Sequence, residues 1–134
     1  MEFVSFEIAK KLKEKGFSCE LPFAMYNEIA LFHLLTTSAP YNVCASGYKC
    51  REYYNYEDFD EYDYIAPTIS QVLKWLREEK KLHISIEYGY AETPIWDFEI
   101  RLIGSYGRWW GDDTYSSYEQ AALAGVAYCL ENLI

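Results

Sequence analysis

The most regular alternation of apolar and polar positions runs from Pro67 to Tyr90, PTISQVLKWLREEKKLHISIEYGY. Ile69, Val72, Leu73 and Leu76 recur at helical spacing and mark one apolar face. Trp75 lies on its flank, and Lys74, Arg77, Glu78 and Lys81 fall opposite. Thr68 is placed to cap this helix, with Gln71 reaching back in a T-x-x-Q capping box. Pro67 holds Ala66 extended and discourages an earlier start. Lys80 and Lys81 put positive charge where the helix dipole favours it. No glycine ends the helix. The period simply changes, and Leu82, Ile84, Ile86 and Tyr88 alternate with His83, Ser85, Glu87 and Gly89 as a half-buried strand with one wet face. Neither apolar face is satisfied alone, so the helix is expected to lie on a sheet that contains the strand.

Weaker patterns fill in the rest. Ser5 caps a short first helix with Ile8, Ala9 and Leu12 inward and lysines outward, and Gly16 is suited to the left-handed stop, followed by Phe17. Phe23–Tyr26 and Ile29–Leu35 read as two strands about Asn27-Glu28, in preference to one helix beginning after Pro22. After the central strand, Glu92-Thr93-Pro94 turns the chain into a second strand, Ile95–Ile103, with Trp96, Phe98, Ile100 and Leu102 inward and Asp97, Glu99 and Arg101 toward water. A third short strand is suggested at Trp109-Trp110 within the loop GSYGRWWGDD. Ser116-x-x-Glu119 opens a C-terminal helix that buries Ala122, Val126, Cys129, Leu130 and Leu133. Gly125 in that helix costs about 1 kcal/mol relative to Ala, which implies a close approach by another element. The expectation is a single α+β domain over residues 1–134, of order α-β-β-α-β-β-α. Its antiparallel sheet is covered by helices, all four main strands fit in one sheet, and a duplicated αββ unit is a secondary possibility. Residues 37–66 form a long, irregular, acidic and Tyr-rich segment.

Composition narrows the function classes. Hydrophobic residues at 51% and aromatics at 19% exclude general disorder. A net charge of −9 argues against direct binding of nucleic-acid phosphates, which needs lysine and arginine to displace counterions. Residues 67–83 are net positive, with four bases (Lys74, Arg77, Lys80, Lys81) against two acids (Glu78, Glu79). The N-terminus lacks an apolar signal region and no 18-residue apolar run occurs. A cytoplasmic protein without membrane association is therefore expected, with Cys19, Cys44, Cys50 and Cys129 as reduced thiols.

No motif specifies a reaction. Cys44-x5-Cys50 with His33 is too loosely spaced for a structural zinc site and has no second pair. His33 and His83 are read as structural, and no nucleophile elbow is present. Asp112-Asp113 beside Trp109-Trp110 is reminiscent of a glycosidase cleft, although a solvated turn explains it as well. Gly104, Gly107 and Gly111 do not make a phosphate loop. Lys74, Arg77 and Lys81 are taken as a solvated stripe. No catalytic, cofactor or metal residue is assigned. The sharpest candidate is REYYNYEDFDEYDY at 51–64, where Tyr53, Tyr54, Tyr56, Asp58, Phe59, Asp60 and Tyr62 interleave aromatic rings with carboxylates. Trp109 and Trp110 complete the candidate interaction surface.

Two segments, APTISQVLKWLREEKKLHISIE at 66–87 and YSSYEQAALAGVAYCLENLI at 115–134, together with the opening FVSFEIAKKLKEKGF at 3–17, resemble a family of small uncharacterised proteins of Bacteroides-type gut bacteria and their phages and mobile elements. The resemblance covers about half the chain and leaves 37–64 unmatched. It implies a cytoplasmic α+β protein of an accessory genome and carries over no functional residue. The resulting expectation is a non-catalytic protein-interaction module with an unidentified protein partner, and homo-oligomerisation left open. The alternatives are a DNA-mimic inhibitor of a nucleic-acid enzyme, or a small-molecule binder or enzyme with a pocket near Trp96, Trp109 and Trp110.

Overall fold

The computed structural model describes residues 2–18, 24–26, 32–34, 64–89, 95–111 and 114–134. The fold is α+β with antiparallel strands, and the chain divides into two compact units, Phe3–Thr68 and Ile69–Ile134.

The first unit contains α1 (Phe6–Glu14), β1 (Ala24–Tyr26), β2 (Phe32–Leu34) and β3 (Tyr64–Ile65). Helix α1 starts where the Ser5 hydroxyl accepts the Ile8 amide at 3.3 Å. It stops in a Schellman motif. Gly16 takes φ +77, the Phe17 amide donates to the Leu12 carbonyl at 3.0 Å, and the Gly16 amide donates to Lys13 at 3.2 Å. Ile8, Ala9, Leu12 and Phe17 are buried, as their spacing predicts. The 23–35 region contains strands, not a helix. β1 is central in a three-stranded antiparallel sheet of order β2-β1-β3. Tyr26 pairs with Phe32, and residues 27–31, where the Asn27-Glu28 turn was expected, lie outside the described residues. The Tyr26 hydroxyl donates to the Val4 carbonyl at 2.8 Å, and burial pushes its pKa up. Phe6 stands edge-on to both Tyr26 and Tyr64, and Lys13 lies 4.7 Å over the Tyr64 ring.

The second unit contains α2 (Ile69–Glu79), β4 (Leu82–Gly89), β5 (Ile95–Leu102), β6 (Arg108–Trp110) and α3 (Tyr118–Asn132). Its sheet is antiparallel with order β4-β5-β6. The strands thus form two separate sheets instead of one, and β3 and β6 extend the expected element order. A helix followed by an antiparallel hairpin does recur. The third strand, however, joins the first strand of the hairpin in one unit and the second strand in the other.

Helix α2 packs on β4, and α3 packs on both β4 and β5. The buried stripe of α2 is Ile69, Val72, Trp75 and Leu76, with Leu73 only half-buried. The face is therefore rotated toward Trp75, whose large ring fills the core instead of flanking it. The α2–β4 junction needs no glycine because Lys81 itself adopts φ +59. Helix α3 begins one residue later than the Ser116 box suggests. Ser117 is the cap and accepts the Gln120 amide at 3.1 Å, while Gln120 Oε1 accepts from the Ser116 amide and hydroxyl. Ala121, Ala122, Gly125, Val126, Cys129 and Leu130 are buried, and Leu133 is half-buried. A methyl group at Gly125 would sit 3.1 Å from Ile84 Cγ2 and 3.2 Å from Phe98 Cγ, which is the close approach its presence implies.

Candidate interaction surface

The pleat of the β4-β5-β6 sheet sorts its side chains into two faces. Leu82, Ile84 and Ile86 pair with Leu102, Ile100 and Phe98 on the face that meets α3 through Gly125. His83, Ser85 and Glu87 pair with Arg101, Glu99 and Asp97 on the other face. Strand β6 continues both sets, because Trp109 is opposite Ile100 and Arg108 and Trp110 are opposite Arg101 and Glu99.

This register separates two residues that the sequence groups together. Trp109 belongs to the helix-covered side and is half-buried. Trp110 belongs to the outer side and is 55% exposed, with the Arg108 guanidinium 5.0 Å over its ring. By the same register Trp96 shares the side of Trp109, so the three tryptophans are not the walls of one pocket. The other candidates, Tyr53, Tyr54, Tyr56, Asp58, Phe59, Asp60 and Tyr62, lie outside the described residues, as do Cys44, Cys50, Asp112 and Asp113.

The outer face contains a charge cluster that the sequence pattern misplaces. Glu99 was expected to face water, yet it is only 7% exposed. Two arginines cover it. Its Oε1 accepts from Arg101 Nε at 2.6 Å and from Arg108 Nε at 3.0 Å and Nη2 at 2.8 Å. The Arg101 hydrogen bond holds the Glu99 carboxyl below the usual carboxylate range, burial opposes that shift, and Arg108 reinforces it. Alternation along β5 correctly placed Glu99 and Arg101 on one face. Arg108 was missed because its position depends on β6 pairing with β5, which puts it diagonally across from Glu99.

At the opposite end of the hairpin the aromatic residues turn outward. Tyr88 was expected to be inward but is 55% exposed, opposite Trp96 near the end of the hairpin. Its ring meets Trp96 edge-on at 5.1 Å, and Trp96 meets Tyr118, the first residue of α3, at 5.9 Å and 87°. Tyr118 is 41% exposed. Trp96 is further fixed by a bridge in which its amide and carbonyl bond the carbonyl and amide of Tyr115 at 2.9 and 2.8 Å. Tyr88, Trp96 and Tyr118 thus form an edge-to-face aromatic row, with Tyr88 and Tyr118 exposed and Trp96 half-buried.

Among the described residues, no group of three or more His, Cys, Asp or Glu side chains is arranged to hold a metal ion. No described helix is long and apolar enough to cross a membrane. His83 is exposed on the outer face. Compared with protein-family models, curated proteins and solved structures, the chain matches none.

Proposed function

We propose that this chain is a non-catalytic protein-interaction module of a phage or mobile element, acting in the cytoplasm. The aromatic edge of Tyr88, Trp96 and Tyr118 is the observation that supports this reading most strongly. Tyrosine and tryptophan contribute large contact area with few rotatable bonds. Here the rings are already held edge-to-face before any partner arrives, so little side-chain entropy remains to be lost on binding. A net charge of −9 favours a partner with a basic surface and would steer it electrostatically. The acidic tyrosine stretch at 51–64 interleaves aromatic rings with carboxylates and is a second candidate for partner contact.

The test compares partner recovery by the tagged full chain, by Tyr88→Ser/Tyr118→Ser, and by a chain lacking 51–64. Loss of one specific partner in both altered chains, at a nearly unchanged melting temperature, is the expected result. Undiminished recovery by both would overturn the proposal.

A further inference from the structure

The outer face of the β4-β5-β6 sheet carries a second feature, independent of the aromatic edge. His83, Arg101 and Arg108 stand in one cross-strand row. They border a cleft of about 430 Å³ whose other side is the 103–107 turn, with Ser105 and a fully exposed Tyr106. The turn is closed by the Ser105 amide donating to the Leu102 carbonyl at 3.2 Å, with Gly104 at φ +80 in the position where a type II turn requires it.

Like charges directly opposite one another repel, so Arg101 facing Arg108 is unfavourable unless an anion lies between them. Glu99 supplies one negative charge, and all three of its contacts use a single carboxylate oxygen. These contacts occupy Nε of Arg101, and Nε and Nη2 of Arg108. Among the described residues the Arg101 side chain makes no other hydrogen bond or ion pair, so both of its terminal amino groups keep their donors, and Arg108 keeps those of Nη1. Two guanidiniums against one carboxylate leave a positive spot on a chain of net charge −9. Glu99 also fixes the orientation of both planar groups, which is the condition under which arginine recognises oxyanions well.

The geometry points to a binding site for the phosphoryl group of a small phosphorylated solute. A tetrahedral group offers oxygens in several directions. It can engage the arginine row on one side and the Ser105 and Tyr106 hydroxyls on the other, which a planar carboxylate cannot do at once. The cleft is larger than a phosphate, and the exposed Tyr106 ring provides a face for the rest of the solute.

Amide and arginine-Nε NMR spectra of the full chain, titrated with inorganic phosphate and with pyrophosphate at constant ionic strength, test this. Saturable shifts at Ser105, Tyr106, Gly107 and Arg101 are expected, with weaker binding of acetate. Arg101→Gln should weaken phosphate binding about tenfold, as loss of one charge-assisted hydrogen bond implies. Arg101→Lys, which keeps the charge but not the fork, should also bind more weakly than wild type. Arg101 is exposed, so the variant should fold, and the remaining amides verify this; Ser105→Ala provides a second, milder variant expected to weaken binding. Tyr88→Ser/Tyr118→Ser should leave phosphate binding intact. Shifts that never saturate, that chloride reproduces, or that persist at wild-type affinity in Arg101→Gln would overturn the assignment.

Discussion

Two residues show how local rules are broken and compensated. Lys81 adopts a left-handed backbone where glycine is usual, a conformation that costs an L-residue about 1–2 kcal/mol. Part of that cost is offset locally. Lys81 Nζ donates to the Glu78 carbonyl at 2.9 Å, and the Lys81 carbonyl accepts the Ile103 amide at 2.8 Å. Lys81→Gly relieves the strain but makes the unfolded chain more flexible, so urea unfolding should show a gain of only about 0.5 kcal/mol. Lys81→Val should lose at least about 1 kcal/mol, because a β-branched residue is poorly tolerated at positive φ. Glu99 shows the electrostatic counterpart. Its folded carboxyl is held below the ordinary value, first by Arg101. Its stabilising effect is therefore complete above about pH 4.3 and is lost as the pH falls through the depressed folded value. The melting-temperature difference between wild type and Glu99→Gln should be constant near neutrality and shrink in acid. A difference independent of pH would contradict the ion-pair geometry. Neither feature was legible in the sequence. Lysine at the end of α2 looked like a dipole partner, and Glu99 looked like one more wet position on β5, because the residues that reinterpret them, Ile103 and Arg108, come from other parts of the chain.

At the scale of elements the sequence was far more informative. Period and caps placed α1, α2, β4, β5 and α3, since each is specified by residues within a few positions of one another. The errors lie where tertiary pairing decides. Two overlapping boxes, Ser116-x-x-Glu119 and Ser117-x-x-Gln120, compete for the start of α3. Ser117 is the cap in the folded chain, and the Gln120 side chain reaches back to Ser116. Tyr88 follows the strand alternation yet is 55% exposed, its ring against Trp96. Gly125 was read correctly as a contact point, and it provides a direct test of the α3–sheet packing. Phe98, beside it, is itself hemmed in by Tyr115 and Tyr128 at ring distances of 6.1 and 6.3 Å. Gly125→Ala gains about 1 kcal/mol in helix propensity but forces overpacking that costs about 1–3 kcal/mol. Chemical denaturation should show net destabilisation of about 1 kcal/mol, and a stabilised variant would mean that Phe98 and Ile84 yield freely.

For the molecule as a whole, the described residues combine a packed interior with several exposed aromatic rings, Tyr88, Tyr106, Trp110 and Tyr118. Cys129 is fully buried in α3, and burial pushes its thiol up to about 12. In a chain carrying Cys19→Ser, Cys44→Ser and Cys50→Ser, a thiol reagent at neutral pH should label Cys129 only as fast as the protein opens. Rapid labelling of the native protein would show that the packing around α3 is looser than described. The candidate site was only partly legible. Trp109 and Trp110 were singled out together, but the pleat puts them on opposite faces, and the aromatic edge depends on α3 bringing Tyr118 to Trp96. We propose that this edge is the contact surface. Its most direct test is a photo-crosslinking residue placed at Tyr88 or Tyr118 of the full chain in its host, compared with one at Lys74 on the exposed face of α2. One discrete adduct from positions 88 and 118, and none from 74, is the expected result. Adducts from 74 alone, or equally from all three positions, would contradict it.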